Sequence, residues 1–311
     1  MKRIFACLTL IACASAAEPI FAPKSFAYVL QADHLAKDRT EAVKKLADCD
    51  RDLIVLDAAF SSEGDWTAAE LQTIRKGKNG RKVVAYLSIG EAEDYRPYWQ
   101  KPWDADHDGQ PDPGAPSFLN TENPDWKGNY RVRYWQPTWQ QIMLPAVAKI
   151  AAQGFDGIYL DIVDAFEFYE YDETKKDWLD DRPNPETGRT YREDMVLWVT
   201  AIAKQAREKH PGFLVIPQNA SQLLQHDHYR DLIDAIGVED LFVAGKKLRS
   251  EKQRRYVVSF LEKLKPLGKP VLVIDYPKSA EVHAGAFEAA AKHGFSLLLT
   301  DRELTTLGES K

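Results

Sequence analysis

Carboxylates stand where apolar runs end. In GFDGIYLDIVDAF (154–166), Asp161 closes an apolar run and Asp164 follows three residues later. A strand that served burial alone has no use for either, because an unpaired charge is costly in an apolar interior. The pattern recurs along the chain. Asp57 ends LIVLD, Glu91 follows KVVAYLSIG, Asn219 ends FLVIPQN, Glu239 lies in AIGVEDL, Asp275 in PVLVIDY and Asp301 ends FSLLLTD. Any one of them could cap a helix or hold a rim salt bridge; so many at equivalent places point to one shared rim. Tyr86, Tyr95, Trp99, Trp126, Tyr130 and Trp135 crowd the neighbouring stretches. Sugars pack their CH faces on aromatic rings, bond carboxylates through their hydroxyls, and lose a glycosidic bond between a pair of acids. Glycoside hydrolysis is the chemistry this set could do.

Competing chemistries find less support. Metal-dependent hydrolysis needs histidines at strand ends, whereas the seven histidines sit mainly on loops or helical stretches. In QHDH (225–228), His226 and His228 fall on opposite faces of a helix. There is no G-x-S-x-G for a serine nucleophile, no G-x-G-x-x-G after the first strand and no phosphate-binding P-loop.

The elements that must hold such a rim are legible as alternating runs. Eight short apolar segments, SFAYVL, LIVLDA, KVVAYLSIG, GIYLDIV, FLVIPQN, AIGVEDL, PVLVIDY and FSLLLTD, read as strands. Between them lie amphipathic stretches such as WQQIMLPAVAKIAAQ and YREDMVLWVTAIAKQAREK, apolar at every third or fourth position. Eight βα units predict an α/β fold, a single-domain (β/α)₈ TIM barrel with its acids at the C-terminal mouth; an open doubly wound sheet is the alternative. Alternation along 157–163 sets Tyr159, Asp161 and Val163 on one side and Leu160 and Ile162 on the other. From Tyr98 to Trp139 the pattern lapses into a stretch rich in Pro, Gly, Asp and aromatics, read as one long loop inserted after the third strand and lying over the mouth.

The 311 residues are 44% hydrophobic and 28% charged, enough apolar content for a full core. The net charge of -6 argues against nucleic acid as a partner and suits a cationic ligand. Residues 1–16 have a basic start, a short apolar run and small residues, as an export signal does, leaving 17–311 as the exported periplasmic or secreted domain. Leu10-Ile11-Ala12-Cys13 also fits a lipobox, so a lipid on Cys13 is the one expected route to a membrane. No cofactor is expected to be required. DADHDGQPD could hold structural calcium through Asp104, Asp106, Asp108 and Asp112; Ala115 stands where an EF-hand has its bidentate Glu.

YLSIGEAEDYRPYW (86–99), NPDWKGNYRVRYWQPTWQ (123–140) and GFDGIYLDIVDAF together resemble the endo-α-1,4-polygalactosaminidases of glycoside hydrolase family 114. The resemblance spans nearly all of 17–311. It implies a (β/α)₈ barrel acting on α-1,4-linked galactosamine polymers, cationic when deacetylated, with Asp161 and Glu239 at the positions of the catalytic acids. Val238 stands before Glu239 where the family more often has Asn, and Asp240 is the neighbouring alternative. Asp161 is the expected nucleophile and Glu239 the general acid/base of a retaining mechanism, although the same two residues could serve an inverting one. Asp57, Glu91, Asp164 and Asn219 could hold hydroxyl or amino groups, and Arg96 could orient Glu91 or Glu93. Tyr86, Tyr95, Trp126, Tyr130 and Trp135 could stack on sugar rings, or else pack beneath the loop. A catalytically silent carbohydrate-binding barrel, or a glycosidase of different substrate, is the other reading.

Overall fold

Short Val- and Leu-rich runs buried on both faces are what parallel strands covered by helices require, and all eight expected runs are strands. They are β1 Phe26–Val29, β2 Leu53–Asp57, β3 Lys82–Ser88, β4 Gly157–Asp161, β5 Leu214–Pro217, β6 Ile236–Glu239, β7 Val271–Asp275 and β8 Ser296–Leu299. The computed structural model describes residues 21–311; the export signal and the lipobox at Cys13 lie outside the described residues. One principal helix fills each crossover: α1 Arg39–Asp48, α2 Ala68–Lys76, α3 Pro137–Gln153, α4 Tyr191–Arg207, α5 Asp227–Leu232, α6 Glu251–Leu261 and α7 His283–His293. Capping boxes at Thr67/Glu70 and Thr190/Glu193 satisfy the first free N–H groups of α2 and α4.

The parallel ladders form two sheets. One runs β1-β2-β3-β4-β5; the other runs β6-β7-β8 and ends on an antiparallel strand at Glu309–Ser310. In the backbone they meet at a seam with a single parallel bridge, Gln218 to Gly237, which includes the bond from Asn219 N–H to the Gly237 carbonyl (2.8 Å), and with one further bond from Asp234 N–H to the Val215 carbonyl (2.9 Å). Among the described residues no ladder joins β8 to β1. There the contacts include bonds from Phe26 N–H to Ser310 Oγ (3.0 Å), from Ser296 Oγ to the Pro23 carbonyl (2.7 Å), and from Leu30 and Gln31 N–H to the Leu304 carbonyl (3.1 and 3.3 Å). The expectation of eight parallel strands alternating with helices is met, but the ladders do not close into one ring.

Side chains of one parity from seven of the eight strands, Tyr28, Val55, Tyr86, Tyr159, Ile216 and Ile274 among them, pack into one buried cluster, which Ala235 joins just before β6; the other parity packs beneath the helices. Within the first cluster Gly237 leaves the space that Tyr159 fills: a Cβ there would lie 1.7 Å from the Tyr159 hydroxyl.

The 98–139 stretch is not the continuous loop expected. Leu119–Asn123 and Trp126–Val132 form a hairpin turning at Pro124 and Asp125, and Glu91–Glu93 adds a third antiparallel strand. Gly128, Tyr130 and Val132 are buried while Asn129 and Arg131 are partly exposed. That alternation is a strand signal, masked by the surrounding Pro, Gly and Asp.

Candidate active site

Three strand ends turn by the same device. Ile162 (φ 56°), Asn219 (φ 59°) and Asp240 (φ 53°) adopt the left-handed conformation just beyond β4, β5 and β6. A β-branched residue there is strained, at a cost of about 1–3 kcal/mol, and such strain gathers at sites where the backbone must aim a side chain. The residues so aimed are Asp161, Gln218 and Glu239.

Each acid is held by its neighbours. Asp161 Oδ1 accepts from Ile162 N–H (2.8 Å) and from the Gln218 amide (3.1 Å), and its Oδ2 accepts from the Tyr86 hydroxyl (2.9 Å). Glu239 Oε2 accepts from the same Gln218 nitrogen (2.8 Å) and from Asn219 Nδ2 (3.5 Å), while the Tyr276 hydroxyl donates to Oε1. Asn219 Oδ1 accepts from Glu239 N–H at 3.1 Å. Gln218 thus gives one hydrogen to each acid. The pair lines a cavity of about 540 Å³, together with Tyr28, Tyr86, Glu91, Asp164 and Tyr276.

Burial, and then the charge of Glu239, raises Asp161 well above the usual carboxylate range; burial raises Glu239 as well. Two such groups sharing one amide do not both ionise readily, so the pair retains a proton to higher pH than isolated carboxyls. Asp164 is pushed up to about 7 by burial, with Glu167 and Glu239 adding to the effect. Burial, then the charge of Asp161, keeps Tyr86 protonated as a donor, and burial, then Glu239, does the same for Tyr276.

Of the residues expected in the site, Asp161, Glu239, Tyr86, Glu91, Tyr95, Trp126, Asp164 and Asn219 come together around this cavity. Glu91 is buried, accepts from Asn123 Nδ2 (2.7 Å) and Asn129 Nδ2 (3.2 Å), and is raised chiefly by burial.

Three expected binding residues do not line it. Asp57 has the inward parity of β2, but Arg96 covers it with a bidentate pair (3.0 and 2.7 Å) and also holds Glu93 (2.6 Å). Tyr130 alternates to the buried face of the hairpin, where its hydroxyl donates to Asp104. Trp135 packs against Tyr169 and Tyr191 and donates to Glu186 Oε2 at 2.8 Å. Of the other strand-end acids, Asp275 is buried and accepts from Phe242 N–H, and Asp301 accepts from Thr305 and Thr306.

Gln218, Tyr276 and Phe168 were missing from the expected set. Parity could have found Tyr276, since Leu272 and Ile274 face the same cluster; a glutamine beside Asn219 gave no comparable signal. At the acidic turn, carboxylate oxygens of Asp104, Asp106 and Asp108 lie within 4.8 Å of one another. Asp112 is outside that group and accepts from Ala105 N–H (2.6 Å). Asp104 is already engaged by Gly109 N–H (3.0 Å), Asp108 N–H (3.2 Å) and Tyr130, so the turn closes on its own donors.

Among known proteins, the chain is 37% identical over 258 residues to an uncharacterized protein of Deinococcus radiodurans, covering 82% of this chain and 75% of that one. It is 34% identical over 240 residues to the uncharacterized protein MJ1477 of Methanocaldococcus jannaschii, covering 75% of this chain and 63% of that protein's length. The glycoside hydrolase domain of PelA from Pseudomonas aeruginosa superposes with a TM-score of 0.63 at 20% identity, over 93% of this chain and 98% of that domain. Ega3 of Aspergillus fumigatus, solved in complex with galactosamine, gives 0.63 at 18% identity, over 96% and 98%. At these identities the structural likeness speaks for the fold alone. The glycoside-hydrolase family GH114 matches residues 11–311, nearly the whole length, and the chain belongs to that family.

Proposed function

We propose that the chain is an exported glycosidase that cleaves α-1,4-galactosaminidic linkages within a galactosamine polymer by a retaining mechanism. The observation that carries the mechanism is the shared amide of Gln218. Its bonds of 3.1 and 2.8 Å hold Asp161 Oδ1 and Glu239 Oε2 no more than about 5.9 Å apart, and about 5.1 Å for a trigonal amide nitrogen. Retaining pairs stand about 5–5.5 Å apart, and inverting pairs about 6.5–9.5 Å, to admit a water. Two donors on Asp161 Oδ1, a backbone N–H and an amide, cannot reverse to accept and so favour a carboxylate, which suits a nucleophile. Glu239 Oε1 faces only the Tyr276 hydroxyl, which can turn from donor to acceptor when the acid carries the proton. The one cluster drawn from seven of the eight strands, with Ala235 beside the eighth, supports a barrel-like enclosure beneath the site.

The substrate follows from charge and from aromatic surface. Asp161, Asp164, Glu239 and Glu91 give the cavity an acidic wall that attracts amino sugars, and Ega3, of the same fold, was solved with galactosamine. Incubation with deacetylated and with acetylated galactosamine polymers, read as new reducing ends, tests the proposal. Shortening of the deacetylated polymer is expected; retention on a polymer column without shortening of either would leave a binding protein instead. Calcium enters only as a structural ligand of the Asp104–Asp108 turn, outside the cavity lining, and isothermal titration that shows no heat removes it.

Two expected outcomes arise here. Trp126 and Phe168 line the cavity while 50% and 40% exposed, Phe168 lying beneath the Arg131 guanidinium at 4.4 Å. Trp126→Ala and Phe168→Ala should each weaken oligosaccharide binding by about 1 kcal/mol, whereas Trp135→Ala should lower Tm and leave affinity unchanged. Calorimetry on an inactive background separates the two effects. Asp164 ionises with a pKa of about 7 in the free cavity, so it binds an ammonium better as pH rises through that value. Affinity for galactosamine should therefore climb from pH 6 to 7.5 and lose that rise in Asp164→Asn; a flat wild-type profile would detach Asp164 from the amine.

A further inference from the structure

A second cavity, of about 440 Å³, opens beside the first and shares Tyr276 and Arg302 with it. The chain segments after β6, β7 and β8 build it, and each contributes one cation: Arg249, Lys278 and Arg302. Its acids are already engaged. Both oxygens of Asp240 are taken by Arg302 (3.0 and 2.8 Å). Asp301 accepts from Thr305 N–H (3.0 Å), Thr305 Oγ1 (3.1 Å) and Thr306 Oγ1 (2.8 Å). Arg249 and Lys278 form no ion pair among the described residues, and the buried Arg249 Nε has no acceptor there. A buried guanidinium donor without a partner carries a desolvation cost that an incoming oxyanion would relieve.

We propose that this cavity is a subsite for an anionic substituent on the saccharide, a carboxylate or a phosphate ester, held by Arg249 and Lys278. Its volume is within the range of small-molecule sites. Its position is informative because the shared wall is Tyr276, whose hydroxyl donates to Glu239, with the Arg302 guanidinium lying over the Tyr276 ring at 4.0 Å. An oxyanion bound here sits on the next sugar along from the acid/base. The polymer that fills both cavities therefore carries an amino sugar at the acidic wall and an acidic residue beside it, a chain of mixed charge. The placement of that neighbour rests on the proposed acid pair, whereas the binding itself does not depend on turnover.

The experiment is titration of the full chain carrying Asp161→Asn with galacturonate, inorganic phosphate and neutral galactose, by calorimetry at low and at high salt. Binding of galacturonate or phosphate, weakened by salt and reduced at least tenfold by Arg249→Met or by Lys278→Met, is expected; the stronger of the two anions identifies the substituent. Lys278 is exposed, so Lys278→Met keeps the test open if Arg249→Met fails to fold. Binding of neither anion, equal binding of galactose, or affinity unchanged in Lys278→Met overturns the proposal. Because no cleavage is read, failure here leaves the glycosidase reading standing, and failure of the reducing-end assay leaves the subsite standing.

Discussion

Asp161→Asn should lower kcat on the galactosamine polymer by about 10⁴-fold or more while leaving Tm and substrate affinity near those of the parent. The amide is almost isosteric, and its oxygen can still accept from Ile162 N–H and Gln218, as Asp161 Oδ1 does. Its new NH₂ group would face Tyr86, whose hydroxyl can turn to accept. What it cannot do is attack the anomeric carbon. Steady-state kinetics, thermal melts and calorimetry on the same preparation distinguish loss of chemistry from loss of structure. An active Asp161→Asn enzyme would remove the mechanism altogether, since Asp161 is the acid that the Gln218 amide ties to Glu239.

Glu239→Gln should fail in another way. With a natural linkage, turnover should fall by about 10²–10⁴-fold because no acid protonates the departing oxygen. A substrate with a good leaving group needs no protonation, so its first step should survive and a glycosyl-enzyme on Asp161 should accumulate, visible by mass spectrometry. Azide, which needs no general base, should then restore turnover and give an azide product of retained configuration. The pH profile supplies a second reading. The charge of Glu239 is one cause that raises Asp161, so its removal should move the acid limb of the residual rate to lower pH. Rescue of Asp161→Asn with inversion, and none of Glu239→Gln, would exchange the roles.

Much of this arrangement was legible before any coordinates. The eight apolar runs are the eight parallel strands, and the alternation Tyr159, Leu160, Asp161 assigned the correct side of β4 to the acid because parity is a backbone property. Parity assigned no side to Asp275, where apolar residues occupy both faces of β7, and it could not show that Arg96 covers Asp57, a contact between residues 39 positions apart. The hairpin at 119–132 was hidden because its turn and strand signals are interleaved with Pro, Gly and Asp. Trp135 and Tyr130 read as sugar platforms by type alone; only packing reveals that their rings are already occupied. Gln218 escaped for a related reason, since an uncharged amide acquires importance only from what lies on both sides of it.

The seam between the two sheets has a mechanical consequence. Asp161 belongs to the five-stranded sheet and Glu239 to the other, and the bridge that joins those sheets is Gln218 to Gly237. The residue that spaces the acids is therefore also a fastener between the two halves of the molecule. Separation of the halves by an ångström would leave nearly every helix and ladder intact and yet open the pair toward a distance at which neither retaining attack nor protonation is well aimed. Catalysis in this chain should therefore act as a strain gauge on this junction: on warming, activity is expected to disappear while secondary structure persists, and a ligand spanning both acids is expected to clamp the halves together.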